Sequence, residues 1–130
     1  MEVIKVKNYE ELSKVAADII AELLKEKPDA TLGLATGSSP IGLYQNLIKK
    51  YQAGEISFKD VKSYNLDEYC ELPKSHPESY YSFMHRKLFS QVDIKEENVH
   101  DGLKITVKSG VNTRFPEWNS FWKSVCFFSL

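Results

Sequence analysis

The sequence predicts an α/β fold laid down as a β-α-β-α-β-α series. Three observations predict it. Stretches with helical apolar spacing alternate with short β-branched or apolar runs. The run at residues 30–35 is almost free of polar alternation, as expected of a strand buried on both faces. Turn-forming residues punctuate the changes of period. Such an alternation leads to parallel strands joined by right-handed crossovers.

Each element has local grounds. Residues 2–7 interleave Val3, Ile4 and Val6 with charge and read as a short strand. Asn8 suits a helix N-cap, and Glu11, three residues on, stands in the capping-box position. Tyr9, Leu12, Val15, Ala16, Ile19, Ile20, Leu23 and Leu24 then recur at three- and four-residue spacing, predicting a broad apolar stripe on a helix that ends before Pro28. Lys25 and Lys27 suit the negative end of its dipole. The strand at 30–35 runs directly into Thr36-Gly37-Ser38-Ser39-Pro40, where Ser39 reads as an N-cap and Pro40 as the first helical residue. Ile41, Tyr44, Leu47, Ile48 and Tyr51 mark a second helix that closes near Ala53-Gly54. A third strand is expected over residues 61–66 and an irregular stretch over 67–77. A last helix over 78–89 has Tyr80, Phe83, Met84 and Leu88 on one side and His85 at an exposed position.

The bulk properties bound the function. The chain has 130 residues, 17 basic and 18 acidic side chains, and 42% hydrophobic residues, which suits one globular domain. The balanced charge lacks the basic stripe of a nucleic-acid binder. Its apolar runs fall well short of the ~18 residues of a membrane span. No signal peptide is read at the N-terminus. Cys70 and Cys126 form no C-x-x-C pattern, and no histidine pair has ligand spacing, so neither a disulfide framework nor a metal site is expected. The expected setting is the cytoplasm. Near residue 101 the text changes: residues 1–100 hold 16 acidic and 13 basic side chains, residues 101–130 hold 2 and 4. The last thirty residues also carry Trp118, Trp122 and four of the seven phenylalanines. Residues 104–108 alternate like a strand, but no helical or strand period continues past Pro116, and the apolar close at 125–130 needs burial.

Three constellations could carry chemistry. Thr36-Gly37-Ser38-Ser39 joins a strand end to a helix start, where free N–H groups and the dipole favour an anion such as phosphate. Gly37 permits close backbone approach, and Thr36, Ser38 and Ser39 add hydroxyls. The pattern is neither a Walker loop nor G-x-G-x-x-G, so nucleotide binding is not indicated. A tight turn with an ordinary N-cap accounts for the same residues. Asn65-Leu66-Asp67-Glu68-Tyr69 closes the next strand at the same edge, where a carboxylate with a raised pKa would serve as a general base. Two solvated loop acids are the plainer account. His76-Pro77-Glu78-Ser79-Tyr80-Tyr81 offers a histidine and phenols, while Glu78 and Ser79 also suit a helix start and Tyr80 a core anchor.

These constellations, in this order, resemble the glucosamine-6-phosphate deaminases, also called glucosamine-6-phosphate isomerases. The similar text comprises residues 32–40, 64–69, Leu72-Pro73, residues 76–84 and Val92-Asp93-Ile94, and runs collinearly to about residue 100. The resemblance implies a Rossmann-like, doubly wound parallel sheet, of which residues 1–100 supply the N-terminal β-α-β-α-β-α portion. It implies conversion of glucosamine 6-phosphate and water to fructose 6-phosphate and ammonia in amino sugar catabolism, a reaction placed among the hydrolases, with no metal or organic cofactor. Thr36, Gly37, Ser38 and Ser39 match the phosphate loop. Asp67 matches the carboxylate that carries the C2 proton to C1, with Glu68 and Tyr69 beside it, and Tyr80 matches a residue lining the active site. The expected partner is a small sugar phosphate, with no nucleic acid or membrane, and family members commonly form homo-oligomers.

The sequence departs from the pattern after His100. The resembling enzymes carry a later Gly-His-Ile-x-Phe-Asn-Glu-Pro segment with the ring-opening histidine, and no Gly-His-Ile occurs in these 130 residues. The expectation is therefore an incomplete, inactive domain over residues 1–100 and a foreign, poorly ordered tail over 101–130, read from a shifted frame. Other readings are a 6-phosphogluconolactonase-like enzyme, a non-catalytic sugar-phosphate sensor, and a fragment that binds nothing. The run from Asn65 through Tyr80 favours the deaminase, and the absence of a basic helix-turn-helix disfavours the sensor.

Overall fold

The computed structural model describes residues 3–65 and 73–100, together with the backbone of Cys126 and Phe127. The elements run α1 (Tyr9–Glu26), β1 (Thr31–Leu34), α2 (Ile41–Gln52), β2 (Lys62–Asn65), α3 (Tyr80–Lys87), β3 (Val99–His100) and β4 (Cys126–Phe127), with short 3-10 turns at Phe89–Gln91 and Glu96–Asn98. The four strands form one parallel sheet in the order β3-β2-β1-β4. The order reverses at β1, as in a doubly wound sheet. The predicted α/β class is the class observed.

The first predicted strand is corrected. Residues 3–6 pair with no strand among the described residues, and Val3 is 71% exposed. β-branched alternation supplies the shape of a strand, but a strand also needs a neighbour for its backbone groups. α1 begins at the predicted cap: Asn8 Oδ1 accepts the Glu11 N–H at 2.8 Å. The Glu11 carboxylate accepts the Lys7 N–H at 2.7 Å, one residue beyond the capping-box partner, Asn8.

The buried face of α1 is Ser13, Ala16, Ala17, Ile20, Ala21 and Leu24. Tyr9 and Ile19, assigned to the apolar stripe by their spacing, are exposed. Small residues govern this face because α1 lies very close to α2. A Cβ on Gly42 would stand 2.4 Å from Ser13 Oγ and 3.0 Å from the Tyr9 ring. Beneath the helices, Leu32, Leu34, Leu43, Leu47, Phe58, Val61, Met84 and Leu88 form the core. α2 starts one residue later than predicted, with Pro40 rather than Ser39 at the cap and no side-chain cap bond. Its end is a Schellman turn. Glu55 N–H bonds the Lys50 carbonyl and Gly54 N–H the Tyr51 carbonyl, each at 3.0 Å, and Gly54 adopts φ +75°.

The last helix is shorter than predicted, Tyr80–Lys87, with Ser79 as its N-cap. His85 is half-buried rather than exposed. Its ring lies between Tyr81 and Phe89, and Nε2 is 3.0 Å from a Glu96 carboxylate oxygen. The expected irregular stretch from 67 lies outside the described residues as far as 72. The expected strand at 104–108 and the tail other than 126–127 lie outside them too. Among the described residues no helix is long and apolar enough to cross a membrane.

Candidate sugar-phosphate site

β1 ends at Leu34 and β2 at Asn65, which are register partners, so the chain leaves both strands at the same carboxyl edge. In open α/β sheets that edge, beside the strand where the order reverses, is where ligands gather. Between β1 and α2 the chain turns through residues 35–40. Gly37 holds φ +97° there, a conformation that disfavours any residue with a Cβ. Open space surrounds the position, so the backbone angle alone demands glycine.

Carbonyls at both ends of this turn are held: Leu34 by the Asn65 side-chain N–H at 2.9 Å, Ala35 by the Tyr44 hydroxyl, and Ser39 by the Tyr9 hydroxyl at 2.7 Å. The N–H groups of Gly37, Ser38 and Ser39 donate to no acceptor among the described residues. Gly37, Ser38 and Ser39 are exposed and Thr36 is half-buried. Three N–H donors, three hydroxyls and the positive end of a twelve-residue helix stand in one turn, a combination that favours an anion. Capture of the Ser39 carbonyl by Tyr9 also explains the late start of α2, since that oxygen does not accept a helical N–H.

Tyr44 lies under the turn. It is fully buried, and burial pushes its phenol above the ordinary range, so it remains a neutral donor. Asn65 is buried as well, and its Oδ1 has no hydrogen-bond partner among the described residues.

Of the residues expected from the sequence, Thr36, Gly37, Ser38 and Ser39 come together in this turn. Asp67, Glu68 and Tyr69 lie outside the described residues. Tyr80 is the first residue of α3 and is half-buried, outside the core that the sequence assigned it to. His76 Nδ1 accepts the Glu78 N–H at 3.1 Å, so its ring shapes the entry to α3. The roles of Tyr9, Tyr44 and Asn65 were missed. The two tyrosines sit on apolar helical spacing, and their hydroxyls reach carbonyls far along the chain. Asn65 was legible as a polar residue ending a strand with a buried face. Among the described residues no group of three or more His, Cys, Asp or Glu could hold a metal ion.

Residues 6–111 match the family described as glucosamine-6-phosphate isomerases/6-phosphogluconolactonase. The chain belongs to this family. Over 100 residues it is 52% identical to a glucosamine-6-phosphate deaminase of Lysinibacillus sphaericus, covering 77% of this chain and 42% of that protein. It is 51% identical over 100 residues to glucosamine-6-phosphate deaminase 2 of Bacillus subtilis, covering 77% of this chain and 40% of that protein. Among solved structures, a monomeric glucosamine-6-phosphate deaminase superposes with TM-score 0.76 at 41% identity, over 83% of this chain and 45% of the other. The 6-phosphogluconolactonase of Thermotoga maritima shares the fold, with TM-score 0.60 at 21% identity over 77% of this chain and 44% of that one. The chain thus spans about two fifths of the curated relatives it matches. The hydrolase class expected from the sequence is corrected. The relatives at about 50% identity are named deaminases and the family description leads with isomerases, names of isomerase- and lyase-type enzymes.

Proposed function

We propose that this family member holds the phosphate of an aminosugar phosphate in turn 36–39 and serves the glucosamine-6-phosphate deaminase reaction of amino sugar catabolism, in the cytoplasm. The carrying observation is the turn itself, held at its flanking carbonyls, with the N–H groups of Gly37, Ser38 and Ser39 donating to no described acceptor at the start of α2. The relatives narrow the phosphate ester to an aminosugar one.

In this reading Thr36, Ser38 and Ser39 add hydroxyl donors to the phosphate oxygens. Anchoring the phosphate fixes a part of the substrate remote from C1 and C2, and that binding energy orients the reacting carbons. Asp67 takes the C2 proton and returns it to C1, with Glu68, Tyr69 and Tyr80 lining the same pocket. No metal or organic cofactor enters these steps. Turnover by these 130 residues alone is not expected, because the Gly-His-Ile-x-Phe-Asn-Glu-Pro segment does not occur in them.

Two measurements test the reading. Fructose 6-phosphate should raise the thermal midpoint of the chain and fructose should not; equal behaviour of the two would overturn the phosphate site. Asp67→Asn should keep that shift, since the carboxylate acts on carbons distant from the phosphate. Ammonia release from glucosamine 6-phosphate should be absent or very slow. A rate like that of the long relatives would show that the later segment is dispensable.

A further inference from the structure

We propose that Tyr9 is a positioning residue for the anion-binding turn, a role that rests on the phosphate reading above. A phenol has one proton and two lone pairs. The Tyr9 hydroxyl donates to the Ser39 carbonyl at 2.7 Å, with the Ser38 carbonyl a weaker second acceptor at 3.3 Å, and accepts the Gly42 N–H at 2.9 Å. One side-chain group from α1 thereby holds backbone groups on both sides of Pro40. Pro40 has no N–H of its own to contribute.

The consequence is a defined start for α2. With its carbonyl bound to Tyr9, Ser39 stays outside the helix, and its N–H, which donates to no described acceptor, is held in place beside those of Gly37 and Ser38. Without the hydroxyl, the Ser39 carbonyl is free to accept a helical N–H, and the helix can begin one residue earlier, as local sequence preference predicts. The ring lies against α2, although the residue is 47% exposed. A Cβ on Gly42 would lie 3.0 Å from both Tyr9 Cε1 and its oxygen, so α1 and α2 touch at this point. At the other flank the Tyr44 hydroxyl holds the Ala35 carbonyl. The turn is gripped at both ends by tyrosines from two helices, and its donors are left for a ligand.

The test uses the whole chain with inorganic phosphate as probe, following the Gly37, Ser38 and Ser39 amides by NMR. Tyr9→Phe keeps the ring and removes only the hydroxyl. Phosphate affinity should fall about three- to tenfold, the size of one or two hydrogen bonds. A comparison variant, Leu23→Ala, removes apolar packing from the far end of α1. It should lower the thermal midpoint at least as far as Tyr9→Phe and leave phosphate affinity unchanged. Unaltered affinity in Tyr9→Phe overturns the proposal, and so does equal weakening in Leu23→Ala, which would reduce the effect to general stability. No phosphate binding by the parent chain is a different outcome, overturning the phosphate reading and this role with it.

Discussion

The Asn65 side-chain N–H bonds the Leu34 carbonyl at 2.9 Å, tying the last residue of β2 to the last residue of its parallel neighbour β1. A carbonyl at the end of a strand has no further rung of the ladder to satisfy it. Asn65 closes the sheet at the edge where the turn 35–40 begins.

Asn65→Ala should lower stability by about 1–3 kcal/mol, because it leaves a buried carbonyl without a donor. The urea midpoint should drop with an unchanged m-value. Asn65→Asp should cost more at neutral pH, since it sets a buried carboxylate against that carbonyl. A midpoint equal to the parent's in the alanine variant would show that the bond contributes nothing.

Gly42→Ala should destabilise by about 1–3 kcal/mol, as overpacking outweighs the better helix propensity of alanine. The nearest obstacle is Ser13 Oγ, a buried hydroxyl without a hydrogen-bond partner among the described residues. Ser13→Ala alone should therefore be neutral or stabilising, and it should recover part of the loss in the double variant. Strict additivity in a double-mutant cycle would mean that the two positions are not in contact.

Gly37 and Gly54 form a matched pair, with φ +97° and +75° and open space around each. Alanine at either should cost roughly 1 kcal/mol through backbone strain. Only Gly37→Ala should weaken phosphate binding, because Gly54 closes the opposite end of α2. Equal binding by both variants would remove Gly37 from the site.

Glu96 should give acid-dependent stability. Its hydrogen bond with His85, and then that with the Tyr81 hydroxyl at 2.7 Å, hold its carboxyl below the usual carboxylate range. The folded chain therefore binds this proton less readily than the unfolded chain. The stabilisation is present above the ordinary carboxylate pKa and lost as pH falls through the depressed value. Glu96 is 66% exposed, so solvent limits the effect to less than about 1 kcal/mol. Glu96→Gln should be less stable than the parent at pH 7, and the gap should close on acidification. A gap that persists at pH 2 would point to packing instead.

Local patterns carried much of this. The Asn8 cap, the helix through residues 9–26, the buried strand near 31–34 and the Gly54 stop all depend on groups within a few residues of one another. The spacing of apolar residues also announced α2 and the strand ending at Asn65. Periodicity misjudged the face of α1, however, placing Tyr9 and Ile19 inside and overlooking Ser13, Ala17 and Ala21. Hydrophobicity alone cannot register that two helices approach closely enough to require glycine opposite serine. His85 was misplaced for a related reason: its partners Phe89 and Glu96 lie beyond the last turn of α3.

What the sequence by itself determined is the α/β class, the helices and the turn 36–39, because these follow from interactions four or five residues long. Only the tertiary structure decided how that turn is held. Tyr9 reaches Gly42 across 33 residues and Asn65 reaches Leu34 across 31. No local period encodes such bonds, since they exist only once α1 lies on α2 and β2 beside β1. Those long-range contacts hold the flanking carbonyls of the turn and set where α2 begins.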